Sequence, residues 1–233
     1  MLLHSGGDSR SAFDDIAAHL AGAQRAVFLP YALRDVDAYT AVVSERMAGL
    51  GVRADGAHTA ADAAVAITEA DAIIVGGGNS FRLLRALHDL DLLDVIRTRV
   101  AAGVPYYGGS AGANVACPTI RTTNDMPIVE TGSLDALRLV PFQINPHYLD
   151  APPPELRVGE TRPERLREFL EENDVPVIAL REPSWLLVDG ERMTLRGDGG
   201  AVIFRRGAEP EDVVAGAHLS HLLGATPRFD QPT

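Results

Sequence analysis

Three short apolar runs, RAVFLP (25–30), DAIIVGGG (71–78) and GVPYYGG (103–109), each end in glycine or proline. Continuous apolar stretches bounded by turn formers predict strands covered on both faces, as in a parallel sheet. Between them the spacing becomes helical. Residues 37–50 bring Ala38, Val42 and Ala48 or Leu50 near one face, and Gly51 stands where a helix C-cap glycine belongs. Residues 61–70 and 80–103 supply further amphipathic helices, the second broken near His88 to Asp91. Strand and helix in alternation predict a doubly wound parallel sheet.

From about residue 120 the pattern loosens, with NDMP, INPHYLDAPPP and ETRPER rich in turn formers. The three prolines at 152–154 read as a surface loop, because RPERLREFLEEN (162–173) and VPVIAL (175–180) at once resume the alternation. The stretch SWLLVDGERMTLRGDGGAVIFRRG then carries β-type runs with Asp-Gly turns at 189–190 and 198–199. These are hairpin signals and predict an antiparallel end to the sheet. A chain of 233 residues, 46% apolar, is read as one α/β domain over residues 1–233.

Charge narrows the range of partners. Twenty-one basic residues against 32 acidic ones give a net charge of −11, and the basic residues are scattered. Nucleic acid and anionic membrane surfaces are therefore not expected partners. The one cysteine, Cys117, makes no internal disulfide and no cysteine-based zinc site, and is read as a packed core residue. The start MLLHSGGDS lacks a basic segment, and no apolar run approaches the roughly 18 residues of a membrane span. The expectation is a cytoplasmic protein.

The candidate chemistry centres on YYGGSAGAN. Gly108 and Gly112 flank Ser110 as in G-x-S-x-G, where the glycines allow a strained strand-to-helix turn to raise a nucleophilic hydroxyl above the sheet. Such a serine needs a base, and histidine is the usual one. Of seven histidines, His4, His19, His58, His88, His218 and His221 lie near termini or in helical patterns, whereas His147 follows the strand-like FQINP. Active sites of open parallel sheets collect at strand ends of this kind. The carboxylate that orients the base is Asp125 in TTNDMP or Glu182 in LREPSW, which the residues alone leave unranked. The N–H of Ala111 is one oxyanion donor, and VGGGNS (75–80) is the loop expected to give the second. That loop lacks both G-x-G-x-x-G spacing and a P-loop lysine. The pair His218 and His221 has no acidic neighbour at ligand spacing, so no metal site is expected.

The segments GGGNSFRLL, GGSAGANVACPTIRTTNDMPIV, QINPHY and GETRPERLREFL together resemble the peptidase E family of α-aspartyl dipeptidases over most of the chain. The resemblance implies a flavodoxin-like three-layer sandwich similar to the class I glutamine amidotransferases, with a mostly parallel sheet and helices on both faces. It also implies a metal-independent serine enzyme, without cofactor, that removes an N-terminal aspartate from Asp-Xaa dipeptides. On this resemblance Ser110 is the nucleophile, His147 the base and Glu182 the third member. Asp125 is a further required carboxylate, and Gly78 and Ala111 are the oxyanion donors. Arg162 is the clamp for the substrate's aspartyl side chain, for which a guanidinium fork is suited. Glu160 pairs with the substrate amine or orients Arg162, Asn79 contacts substrate, and Arg121 is the reserve cation. Two departures stand out: Gly109 replaces a common tryptophan, and Arg181-Glu182-Pro183-Ser184-Trp185 replaces the usual Pro-Glu-Gly-Asn-Trp. Cyanophycinase-like specificity is the competing enzymatic reading. A non-enzymatic binder on the same fold would show a degraded triad. The oligomeric expectation is a monomer or homodimer.

Overall fold

The computed structural model describes residues 1–6 and 9–231. Five parallel strands form most of the main sheet: β1 (Leu2–His4), β2 (Arg25–Leu29), β3 (Arg53–Gly56), β4 (Ala72–Val75) and β5 (Tyr106–Gly109). The antiparallel hairpin β8 (Trp185–Asp189) and β9 (Arg192–Arg196) completes it, in the order β3-β2-β4-β5-β1-β8-β9.

Strand side chains alternate between faces, and each face has its own helices. Leu2, Ala26, Phe28 and Ile74 pack with Ile16 of α1 (Phe13–His19) and Met47 of α2 (Val36–Ala48). Leu3, Val27, Leu29, Ile73 and Val75 pack with Ile67 of α3 (Ala63–Glu69), Leu83 and Leu87 of α4 (Ser80–Asp89), Ile96 of α5 (Leu93–Ala101) and Ala113 of α6 (Ala111–Ala116). Local chemistry starts these helices. The Asp35 side chain accepts from the Ala38 N–H at 3.0 Å, and Asp62 accepts from those of Ala64 and Val65.

A second sheet, in the order β11-β10-β7-β6, contains β6 (Gln143–Asn145), β7 (Val177–Leu180), β10 (Ala201–Phe204) and β11 (Glu211–Val213). Helix α7 (Arg162–Glu172) covers one face, packing Leu166 and Leu170 against Val177, Ala179 and Phe204. Ile144, Ile178 and Ile203 on the other face join the larger core with Leu186 and Leu195 of the hairpin.

The expected α/β architecture is present, with four differences of detail. The start of the chain is a fully buried central strand, β1; three residues are too few to show a period. Strand β3 reads Arg-Ala-Asp-Gly, whose polar half faces outward at a sheet edge. VPVIAL forms a strand, but in the second sheet. The Asp-Gly turn at 189–190 joins β8 to β9 as expected, while the one at 198–199 closes no hairpin and carries the chain to β10 beside β7. Among the described residues no helix is long and apolar enough to cross a membrane.

Candidate active site

Ser110 stands between β5 and α6 with φ 52° and ψ −106°, a conformation that side chains rarely adopt. Its N–H donates to the His4 carbonyl at 2.8 Å, tying the turn to the neighbouring strand. The flanking glycines are required by contact. A Cβ on Gly108 would lie 2.5 Å from the Gly112 carbonyl oxygen, and one on Gly112 would lie 2.3 Å from that of Val75. The hydroxyl is thereby turned away from its own helix and towards His147, whose Nε2 lies 2.7 Å from Ser110 Oγ.

His147 follows β6, which is an edge strand whose exposed side is covered by the 119–124 segment through side-chain-to-backbone bonds in both directions. Gln143 Nε2 donates to the Thr119 carbonyl at 2.9 Å, and Thr122 Oγ1 donates to that of Ile144 at 2.9 Å. Asn145 Nδ2 donates to the Thr122 carbonyl at 2.8 Å, and Asn124 Nδ2 to that of Pro146 at 2.6 Å. The sequence segments TIRTTND and QINP thus satisfy one another's polar groups, and the pairing fixes where His147 emerges.

The imidazole is oriented from both sides. Its Nδ1 hydrogen-bonds Glu182 Oε1, just beyond β7, and its backbone N–H donates to Ser5 Oγ at 2.9 Å. Ser5 in turn donates to the Leu180 carbonyl at 2.8 Å. Gly6 makes room for the ring: with φ 143°, a Cβ there would fall 2.0 Å from His147 Cε1. Arg181 braces the same loops, donating from Nε and Nη2 to the Asp150 carboxylate at 2.7 Å each and lying over the Tyr148 ring. His4 is buried and stacks on Trp185 with ring centroids 5.7 Å apart. Burial pulls its pKa below the usual histidine value, against the opposing pull of the Glu182 carboxylate.

Asp125 lies elsewhere. Its Oδ2 accepts from the Ser80 N–H at 2.7 Å and from Thr123 Oγ1 at 3.1 Å, so it caps α4 and makes no contact with His147. Asn79, expected to contact substrate, has both ends of its amide occupied: Oδ1 accepts from the Arg82 N–H at 3.0 Å and Nδ2 donates to the Met126 carbonyl at 2.9 Å. Gly78, at φ 131°, follows Gly77, where a Cβ would lie 3.2 Å from that of Ser110. The loop is therefore against the serine, as is the Ala111 N–H at the start of α6.

Arg162 opens α7, whose start is fixed by a capping box: the Thr161 N–H donates to Glu164 Oε2 at 2.7 Å, and the Glu164 N–H donates to Thr161 Oγ1. Its guanidinium is partly buried, and no hydrogen bond or ion pair to it is present among the described residues. Burial first, and then the Arg165 cation, pull its pKa below the usual arginine value, while the Asp125 charge opposes them. One expectation is corrected. Arg121 is no reserve cation, because it makes a two-pronged pair with Asp230 at 2.5 and 2.9 Å and lies over the Phe229 ring. Glu160 pairs with Arg165 at 2.9 Å and not with Arg162, and of its two expected roles the pairing with the substrate amine is the one left open.

Ser5, Gly6 and Arg181 were not singled out as site residues by sequence reasoning. The glycine pair in HSGG was a signal for Gly6, but its partner His147 is far along the chain.

Comparisons with known proteins identify the family. A model described as peptidase family S51 matches residues 1–196. The chain is 51% identical over 230 residues to a protein named Peptidase E from Streptomyces coelicolor, covering 99% of this chain and 95% of that one. It is 48% identical over 204 residues to a Drosophila melanogaster protein named "Probable alpha-aspartyl dipeptidase", covering 87% of this chain and 85% of that one. The crystal structure of a peptidase from an acI-B1 Actinobacterium shares the fold, with a TM-score of 0.70 at 16% identity, covering 94% of this chain and 95% of that one. A serine raised on a glycine-flanked turn, a histidine in contact with it and a family match across most of the sequence lead to one assignment: the chain belongs to peptidase family S51.

Proposed function

We propose that the protein hydrolyses the bond after an N-terminal aspartate in Asp-Xaa dipeptides through an aspartyl-serine acyl-enzyme. The observation that carries this is the hydrogen-bonded line Ser110–His147–Glu182, with the guanidinium of Arg162, which has no ion pair among the described residues, in electrostatic range of the Asp125 cap.

Ser110 Oγ attacks the aspartyl carbonyl carbon as its proton passes to His147 Nε2. Glu182 holds the tautomer that carries the other proton on Nδ1 and stabilises the imidazolium as it forms. The N–H groups of Gly78 and Ala111 receive the oxyanion. His147 then protonates the leaving nitrogen, the C–N bond breaks, and water, deprotonated by the same imidazole, releases aspartate. Arg162 takes the substrate's β-carboxylate, a local cation that an acidic chain must provide for an acidic substrate. Asp125 serves by holding α4 and the 123–126 turn in place.

Purified protein assayed with chelator present against aspartyl, glutamyl, asparaginyl, leucyl and β-aspartyl p-nitroanilides is expected to release amine rapidly from the α-aspartyl compound alone. Equal release from the leucyl compound would overturn the reading.

Gly6→Ala is expected to reduce kcat/KM on the α-aspartyl substrate about 10²-fold, because the methyl group displaces the imidazole and an error near 1 Å suffices for such a loss. Steady-state kinetics on variant protein with an unaltered circular dichroism spectrum checks it; wild-type turnover would remove Gly6 from the site. The reading extends to a monomer or homodimer acting in the reducing cytoplasm. The support for the compartment is the single cysteine, which allows no internal disulfide.

A further inference from the structure

On the α1–α2 side of the main sheet lies a cavity of about 480 Å³. Its walls are chiefly apolar: Ile16 of α1, Val43 and Met47 of α2, and Phe28, Ile74 and Tyr107 of the sheet. Gly76, Gly77 and Gly109 also line it, as does Arg10, and Gly77 and Gly109 border Ser110 as well. The partition between the serine and the cavity is therefore backbone alone. At Gly109, the residue before the serine, a Cβ would find its nearest neighbour, Tyr107 Oη, only at 3.9 Å. Any larger residue at 109 would project into that space.

The cavity lies across the sheet from the groups assigned to the aspartyl residue. Asp125 caps α4, which packs on the opposite face of the sheet, and Arg162 lies within its field. A substrate with its β-carboxylate at Arg162 and its scissile carbonyl at Ser110 has its leaving residue directed across the sheet edge, towards α2. The cavity's chemistry fits that residue. Its size lies within the roughly 300–1,000 Å³ of small-ligand sites, enough for a single side chain and well short of an extended peptide. Arg46, exposed at its wall and without an ion pair among the described residues, complements the free carboxylate of a dipeptide. The Tyr39 phenol lies against the glycine loop, where a Cβ on Gly76 would fall 2.6 Å from its Oη, so α2 packs directly on that loop.

We propose that this cavity is the subsite for the residue after aspartate and selects a large apolar or aromatic side chain there. The inference rests on the dipeptidase reading and adds its second specificity element. The preferred substrates are Asp-Leu and Asp-Phe, with Asp-Gly and Asp-Ser poor.

The test measures kcat/KM for Asp-Gly, Asp-Ala, Asp-Leu and Asp-Phe with the wild type, with Val43→Trp, which fills the cavity from α2, and with Gly109→Val, which narrows it beside the serine. The wild type is expected to favour Asp-Leu and Asp-Phe over Asp-Gly by about tenfold or more, the range that filling an apolar pocket gives. Each variant brings that ratio to near one. Gly109→Val keeps the test open if Val43→Trp does not fold. A wild type active on all four with a flat profile overturns the inference and leaves the dipeptidase reading intact, as does a variant that lowers every substrate equally. A wild type inactive on every aspartyl dipeptide and p-nitroanilide overturns the dipeptidase reading itself, and the subsite with it.

Discussion

Ser110→Ala lowers kcat for the α-aspartyl p-nitroanilide by about 10⁴-fold or more, the scale seen when a serine peptidase loses its nucleophile. The substitution removes the one atom that His147 Nε2 faces at 2.7 Å and leaves its surroundings in place. Alanine keeps the Ser110 N–H bond to the His4 carbonyl and bears the same positive φ as serine, so the thermal midpoint should move little. Residual turnover would come from the Gly78 and Ala111 N–H groups acting on bound substrate. Rates near wild type with the variant would end the acyl-enzyme mechanism.

Arg162→Ala lowers kcat/KM on the α-aspartyl substrate by about 10³-fold, because a site built around a charged pair loses more than packing when one partner goes. The discrimination between aspartyl and asparaginyl substrates should collapse in the same variant. Lysine should recover little of either, since an ammonium is a point charge and cannot grip both carboxylate oxygens in one plane. Stability distinguishes this role from a structural one. The guanidinium is partly desolvated and has no ion pair among the described residues, so removing it should leave the melting temperature unchanged or raised. Unaltered kinetics would eliminate the clamp; a large fall in melting temperature with unaltered specificity would make Arg162 a fold residue.

What was legible in the sequence follows from the distance over which each signal acts. Strands β2, β4 and β5 are apolar runs closed by glycine or proline, so short windows expose them. The elbow at Ser110 is legible because Gly108 answers to the Gly112 carbonyl within the turn itself, although the need for Gly112 comes from Val75 on the neighbouring strand β4. Strand β6 reads Gln-Ile-Asn, a polar pattern that makes sense only when Thr119 to Asn124 are seen covering its open edge. The turn residues alone could not choose between Asp125 and Glu182. Each is a loop carboxylate, and what separates them is that one faces the Ser80 N–H and the other the imidazole. Arg121 was misread for the same reason: its partner, Asp230, is 109 residues away, and no window contains both. Ser5 and Gly6 meet His147 only because β1, a strand of three residues, is inserted between β5 and β8.

The nucleophile belongs to the main sheet, and the base, its carboxylate and Arg162 belong to the second sheet and the helix covering it. The enzyme is thus divided by task. On the proposed roles, one layer attacks and shelters the negative charge that attack creates, and the other manages protons and recognises the charge of the substrate. On those same roles, variation confined to the second layer can change which N-terminal residue is accepted without disturbing the strained turn, and variation in the cavity under α2 can change which residue follows it without touching the base or Arg162. The seam between the layers is where the two have to agree, and 2.7 Å between an oxygen and a nitrogen is the measure of that agreement.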